Sequence, residues 1–168
     1  MSSSDRRRFL RLAGLSLGGA VLAGCGFTPV YGPEGGGTRL MGHVRPDDPK
    51  TRDDFYFTRR ISERLDPVSV PRYRLGYTIT TDSLGEAVSP TNATTRYSLT
   101  GNCDYVLRDG GTNAVLLAGR VAGFTSWSAS GTVVASDAAE EDAHRRLMAI
   151  LADNLVTRLT AQASTLPQ

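Results

Sequence analysis

The 168 residues suffice for one domain built around one hydrophobic core. The formal net charge is only +2, with 19 basic residues nearly balanced by 17 acidic ones, which leaves no electrostatic footprint for nucleic acid, so no nucleic-acid partner is expected. Two cysteines and two histidines are too few for a cysteine-rich metal centre or a persuasive metal cluster, and no metal or cofactor is expected.

The basic residues cluster at the start. MSSSDRRRFLRLAG carries Arg6, Arg7, Arg8 and Arg11 against the single acid Asp5. LAGLSLGGAVLAG follows, an apolar, glycine-rich stretch of about a dozen residues, too short to span a bilayer as a helix. A basic segment, a short apolar segment and small residues before a cut site make a secretory signal peptide. The cut site is Leu22-Ala23-Gly24-Cys25, the pattern of bacterial lipoproteins, in which the thiol is joined to a diacylglycerol and the new amino group is acylated after cleavage. Cys25 is therefore read as the lipid anchor. Arg6-Arg7-Arg8-Phe9-Leu10-Arg11 also fits a twin-arginine export address, with the general secretory route as the alternative. Residues 1–24 hold four of the 19 basic and one of the 17 acidic residues, so the 144 residues from Cys25 onward are near −1. Cys103 is then left without a disulfide partner, and its apolar-phase position in a strand points to a buried, inert thiol.

GFTPVYG after the cysteine is expected to be a short edge strand, since Pro29 lacks a ladder donor. PEGGGTRLMGHVRPDDPK has no period and reads as a tether. Thr51 or Asp53 can open a helix whose apolar stripe is Phe57, Ile61 and Leu65 and whose stop is Asp66-Pro67. Arg72 to Ser83 alternates with Tyr73, Leu75, Tyr77 and Ile79 on one phase. TRYSLTGNCDYVLRD alternates most clearly, placing Tyr97, Leu99, Cys103, Tyr105 and Leu107 on one side and Arg96, Ser98, Thr100, Asn102, Asp104 and Arg108 on the other. Asp109-Gly110-Gly111 signals a hairpin turn into a long strand that Gly119 and Gly123 are expected to bend and bulge. The last helix is expected to start at an Asp137 cap with Glu140 three residues on. Its apolar stripe is Ala143, Leu147, Ile150, Leu151, Leu155 and Leu159, and its charged face, with His144 beside the stripe, is expected to be solvated.

These elements predict an α+β, two-layer domain with two amphipathic helices packed on one face of a four-stranded, mainly antiparallel sheet. The expected division is a signal peptide at 1–24, a lipidated N-terminus with short strand and tether at 25–50, the α+β domain at 51–163 and a tail at 164–168. The opposite sheet face is polar and available. No catalytic motif is found: there is no nucleophile elbow, zinc-protease helix or phosphate loop, and an enzyme is not expected.

GCGFTPVYG, FYFTRRISERL, YRLGYTITT, TRYSLTGNCDYVL, GRVAGFTSWSAS and VVASDAAEEDAHRR…LADNLVTRL, in this order, resemble the LptE family of lipopolysaccharide-assembly lipoproteins in its alphaproteobacterial form. The resemblance implies an outer-membrane lipoprotein, anchored on the periplasmic side, that sits in the lumen of the β-barrel LptD as a 1:1 hetero-complex, assists its assembly and helps deliver lipopolysaccharide to the outer leaflet. Under that resemblance, Arg96, Arg74, Arg108 and Arg120 on the polar strand phase are candidate lipopolysaccharide contacts, with Arg96 the first choice beside the 89–95 loop. A structural or binding lipoprotein of another cell-envelope machine is the alternative.

Overall fold

Residues 36–66, 70–88, 94–129 and 131–167 are described by the computed structural model. In chain order they form α1 (Gly36–Leu40), β1 (Val44–Pro46), α2 (Arg52–Leu65), β2 (Tyr73–Val88), β3 (Thr94–Asp109), β4 (Val115–Ser128) and α3 (Val133–Gln162), with a 3-10 turn at Ala163–Thr165. The sheet order is β1-β2-β3-β4. β2, β3 and β4 are antiparallel neighbours, whereas β1 runs parallel to β2.

Two expectations are thereby corrected: the sheet is mixed rather than mainly antiparallel, and the helices number three among the described residues. The parallel pair follows from chain order, because α2 lies between β1 and β2 and a helical crossover returns the chain to the same end of the sheet. The segment expected to be a tether supplies α1 and β1. Leu40, Val44 and Pro46 are buried, and Val44-Arg45-Pro46 already alternates in-out-in. The strand expected at GFTPVYG, like Cys25, lies outside the described residues.

α2 begins and ends as its sequence suggests. The Thr51 hydroxyl accepts from the Asp54 N–H at 3.1 Å while the Asp54 carboxylate accepts from the Thr51 N–H at 3.0 Å, a reciprocal capping box. Phe57, Thr58, Ile61 and Leu65 are buried, and Asp66 closes the helix in the left-handed region at φ 44°, its N–H donated to the Ser62 carbonyl.

β3 is the centre of the sheet. Its phase of Leu99, Cys103, Tyr105 and Leu107 is buried against the helices, with Tyr73 and Leu75 from β2 and Val121 and Trp127 from β4. The Tyr97 and Trp127 rings stack across the strands with centroids 4.9 Å apart. At the hairpin, Asp109 Oδ1 accepts from the N–H groups of Gly111 and Thr112 at 3.0 and 2.8 Å, which fixes the turn. The bulge expected in β4 sits at its start, where Leu107 faces Leu117 but Arg108 faces Val115, leaving Leu116 as the extra residue. Gly119 and Gly123 have a different role from the one expected. Gly123 lies directly opposite Gly101, and this pair lets α3 approach the sheet. A Cβ on Gly101 would lie 2.9 Å from Leu147 Cδ2, and one on Gly123 2.8 Å from Ile150 Cγ2.

α3 starts at Val133, capped by the Thr132 hydroxyl accepting from the Ala135 N–H at 3.3 Å, so Asp137 is not its cap. Its opening turns are exposed and leave no apolar stripe to read, which hid the true start. Ala143, Leu147, Leu151, Leu155 and Leu159 are buried as expected, joined by Met148, Ala152 and Val156, while Ile150 is 37 % exposed at the rim. Each fully buried leucine contributes about 2 kcal/mol relative to an exposed one. The polar side of α3 is engaged rather than simply solvated. Asp153 receives Arg60 at 3.1 and 3.0 Å and Arg64 at 3.1 Å, and Tyr56 donates to Glu141 at 3.0 Å.

Replacing Gly101 by valine is expected to overpack the α3 seat and lower stability by about 1–3 kcal/mol, measured by urea unfolding. Gly111→Ala, in the open hairpin turn, is expected to change stability by less than about 1 kcal/mol in the same assay.

Candidate functional site

The strand register brings the outer-face residues into rows. Arg45 of β1 faces Arg74 of β2, and Arg74 faces Arg108 of β3, so three arginines occupy adjacent register positions across the sheet. Like charges directly opposite one another disfavour the pairing unless something relieves them. Asp48 gives partial relief, with an oxygen 3.4 Å from Arg45, and Arg108 donates to the Asn113 carbonyl at 3.3 Å. Arg74 makes neither a hydrogen bond nor an ion pair among the described residues. A shallow cavity of about 390 Å³ lies beside it, lined by Arg45, Asp47, Asp48, Arg74 and Gly110.

Only two of the four arginines singled out from sequence are thus brought together, Arg74 and Arg108. Arg120 faces Asp104 and grips it through two hydrogen bonds, Nε to Oδ1 at 2.7 Å and Nη2 to Oδ2 at 2.8 Å. The Arg120 hydrogen bond holds the Asp104 carboxyl below its ordinary range, and the same contact raises the Arg120 guanidinium. Arg96 faces Ala87 and Ser128 at the far end of the sheet. At a strand rise of about 3.3 Å per residue, it lies about 40 Å from Arg108. Sequence reasoning missed Arg45 because its strand was taken for a tether; the apolar residues on either side were the available signal. It also passed over Leu84 and Phe124. They are 66 % and 75 % exposed, on the outer phase at the Arg96 end, where Phe124 faces Thr100 and Leu84 faces Ser98.

The groups considered for other chemistry are accounted for. Burial pushes the Cys103 thiol up to about 12, with Asp104 adding to the shift, so the thiolate nucleophile is suppressed at neutral pH. His144, expected to be solvated, is instead half-buried with Nδ1 2.8 Å from Asp53 Oδ2, tying α3 to the first turn of α2. No cluster of three metal-ligating side chains occurs among the described residues.

The outer face is therefore a polar, helix-free surface with a cationic row at one end and exposed apolar side chains at the other. The sequence model of LptE, described as lipopolysaccharide-assembly, matches residues 43–159. This chain belongs to the LptE family. The fold is also that of solved lipoproteins. A candidate lipoprotein from Caulobacter crescentus is 15 % identical, with a TM-score of 0.65 over 77 % of this chain and 96 % of that one. Rare lipoprotein B from Shewanella oneidensis is 14 % identical, with a TM-score of 0.55 over 73 % and 95 %. Lipoprotein B from Nitrosomonas europaea is 12 % identical, with a TM-score of 0.54 over 73 % and 83 %. No curated protein matches the sequence. The family match begins at residue 43, one residue before β1, and so includes that strand.

The Asp104–Arg120 pair has a defined pH signature. The folded carboxyl value lies below the ordinary 3.8, so the pair's contribution is complete above that value and is lost as pH falls through the depressed one. A nuclear magnetic resonance titration of the Asp104 carboxyl is expected to give a midpoint below 3.8, and Arg120→Ala is expected to move that midpoint upward.

Proposed function

We propose that this LptE-family chain is a lipid-anchored subunit that plugs an LptD-type β-barrel in the outer membrane and presents its outer sheet face to lipopolysaccharide or to the barrel wall. The family match over residues 43–159 carries the general role, which is assembly rather than catalysis. The finer reading is supported by physical fit. A plug has to offer hydrogen-bonding groups to a polar lumen, and the outer face offers Thr78, Thr80, Ser98, Thr100 and Asn102 at strand spacing. Acylation at Cys25 would hold the domain at the membrane, since buried methylenes contribute about 0.8 kcal/mol each and two or more chains make a stable anchor.

In this reading the row of Arg45, Arg74 and Arg108 receives phosphate groups. Guanidinium pairs with phosphate oxygens bidentately, and an anion placed over the row removes the mutual repulsion of the three cations. Arg74 is the principal contact because it sits between the other two and is uncommitted. Arg120 is a weak candidate because its donors are already spent on Asp104. Arg96 is at the same end of the outer face as Leu84 and Phe124, a combination suited to a headgroup edge near an acyl chain.

Three results test this. Mass spectrometry of the native product is expected to find a triacylated Cys25 as first residue, and Cys25→Ala is expected to release the chain from the membrane fraction. Gentle detergent extraction is expected to recover it with a large barrel protein at 1:1; recovery with a different envelope assembly would favour the alternative role. Arg74→Ala with Arg108→Ala is expected to weaken retention of lipopolysaccharide by about tenfold, against about twofold or less for Arg120→Ala. Equal losses in the double variant and in Arg120→Ala would sink the assignment of the row.

A further inference from the structure

The two edges of the sheet are finished differently. Along β4, α3 reaches over the outward-pointing carbonyls: Arg146 Nη2 donates to Ser126 O at 3.1 Å and Asn154 Nδ2 to Ala122 O at 3.0 Å. Along β2, the cover is β1, which pairs only from Tyr73 to Leu75 and ends with the Asp47 N–H donated to Leu75 O at 2.9 Å. The same parity aims the backbone groups of Tyr77, Ile79, Thr81 and Ser83 away from β3. Among the described residues those groups have no hydrogen-bond partner. From Tyr77 to Ser83 the edge carries no proline, no basic residue and no register shift, and its single charge is Asp82, so most of the devices that discourage strand addition are missing from this run.

This open edge borders a groove of about 780 Å³ whose other walls are the first turns of α2 and the N-terminal half of α3. Five carboxylates line it against Lys50, Arg52 and His144. Three are committed: Asp53 to His144, Asp54 to the α2 cap, and Glu141 to Arg52 and Tyr56. Asp137 and Glu140 are exposed and make no hydrogen bond or ion pair among the described residues.

We propose that the β2 edge is a strand-addition site for an extended segment of a partner polypeptide with lysine or arginine at alternate positions. Backbone pairing to Tyr77, Ile79, Thr81 and Ser83 supplies the register, and every second side chain of the added strand projects over the groove toward Asp137 and Glu140. A second copy of this chain is disfavoured as occupant because it would bring two acid-lined grooves together. The site is distinct from the outer sheet face and does not depend on the chain meeting a barrel or lipopolysaccharide.

Residue-resolved amide exchange on the full chain, with a synthetic peptide alternating lysine and threonine, tests this. The peptide is expected to slow exchange at Tyr77, Ile79, Thr81 and Ser83 by about tenfold or more while β4 is unchanged. Thr81→Pro is expected to abolish the effect, and its outward N–H makes the substitution tolerable on an edge. Asp137→Lys with Glu140→Lys, both at exposed helix positions, is expected to weaken peptide binding by about tenfold without altering the fold. Absence of slowing, or equal slowing by a glutamate–threonine peptide, would overturn the proposal. So would protection that grows with protein concentration alone, which would assign the edge to a second copy.

Discussion

Side-chain alternation along β3 is the constraint on which the rest of the molecule depends. A slip of one residue in its pairing would turn Leu99, Cys103, Tyr105 and Leu107 outward and bring Ser98, Asn102, Asp104 and Arg108 under α3. The buried set cannot tolerate that exchange, because charged groups would lose water with no partner on the helix side. The Gly101–Gly123 pair adds a second lock, since there two facing residues lack Cβ atoms and admit Leu147 and Ile150 at close range. With the register held from both sides, the helix-free face is specified by the same pattern that builds the core.

One-sided burial accounts for the chemistry left outside. Three arginines in adjacent register positions cost stability in the free domain, and a fold selected only for stability would place threonine or glutamate in such a row, as it places Asp104 opposite Arg120. The two arrangements lie on the same face and differ in how far each guanidinium is neutralised: Asp104 grips Arg120, whereas Asp48 reaches Arg45 but Arg74 has no ion pair among the described residues. Where the opposing charge is built in, the guanidinium is neutralised locally. Where it is absent, the field remains available to an external anion, and it is strongest at Arg74 because the row is centred there.

What the sequence made legible follows from the length of each signal. β3 and α2 carry enough residues for a period to show, and the Thr51 cap and Asp66 stop have local side-chain causes. β1 is three residues long, too short for alternation to stand out from a glycine-rich background, although Val44 and Pro46 are its trace. α3 opens with exposed turns, so a search for a buried stripe starts it too late. The roles of Gly101 and Gly123 depend on where α3 lands, and the His144–Asp53 contact joins residues 91 apart in sequence; neither is encoded locally. For the arginines, alternation assigned the face correctly. Which of them become neighbours is a property of strand pairing, and so Arg45 entered the row while Arg96 and Arg120 left it.

The sheet edges complete the physical picture. An edge strand satisfies its outward backbone groups with water, with side chains or with another strand, and water is the default only where the edge stays in solvent. β4 uses side chains of α3, which also fix that helix lengthwise against the sheet. β2 does not use the same device, because α2 and the start of α3 stand back from it by the width of the groove, and their Arg52 and His144 are paired with Glu141 and Asp53. The outward carbonyls of Tyr77, Ile79, Thr81 and Ser83 therefore have no hydrogen-bond partner among the described residues. The asymmetry arises from the crossover itself: β1 is too short to run the length of β2, and after Asp47 the chain turns into the cap of α2. The same connection that makes the sheet mixed thus leaves one edge open among the described residues, beside the uncommitted carboxylates of Asp137 and Glu140.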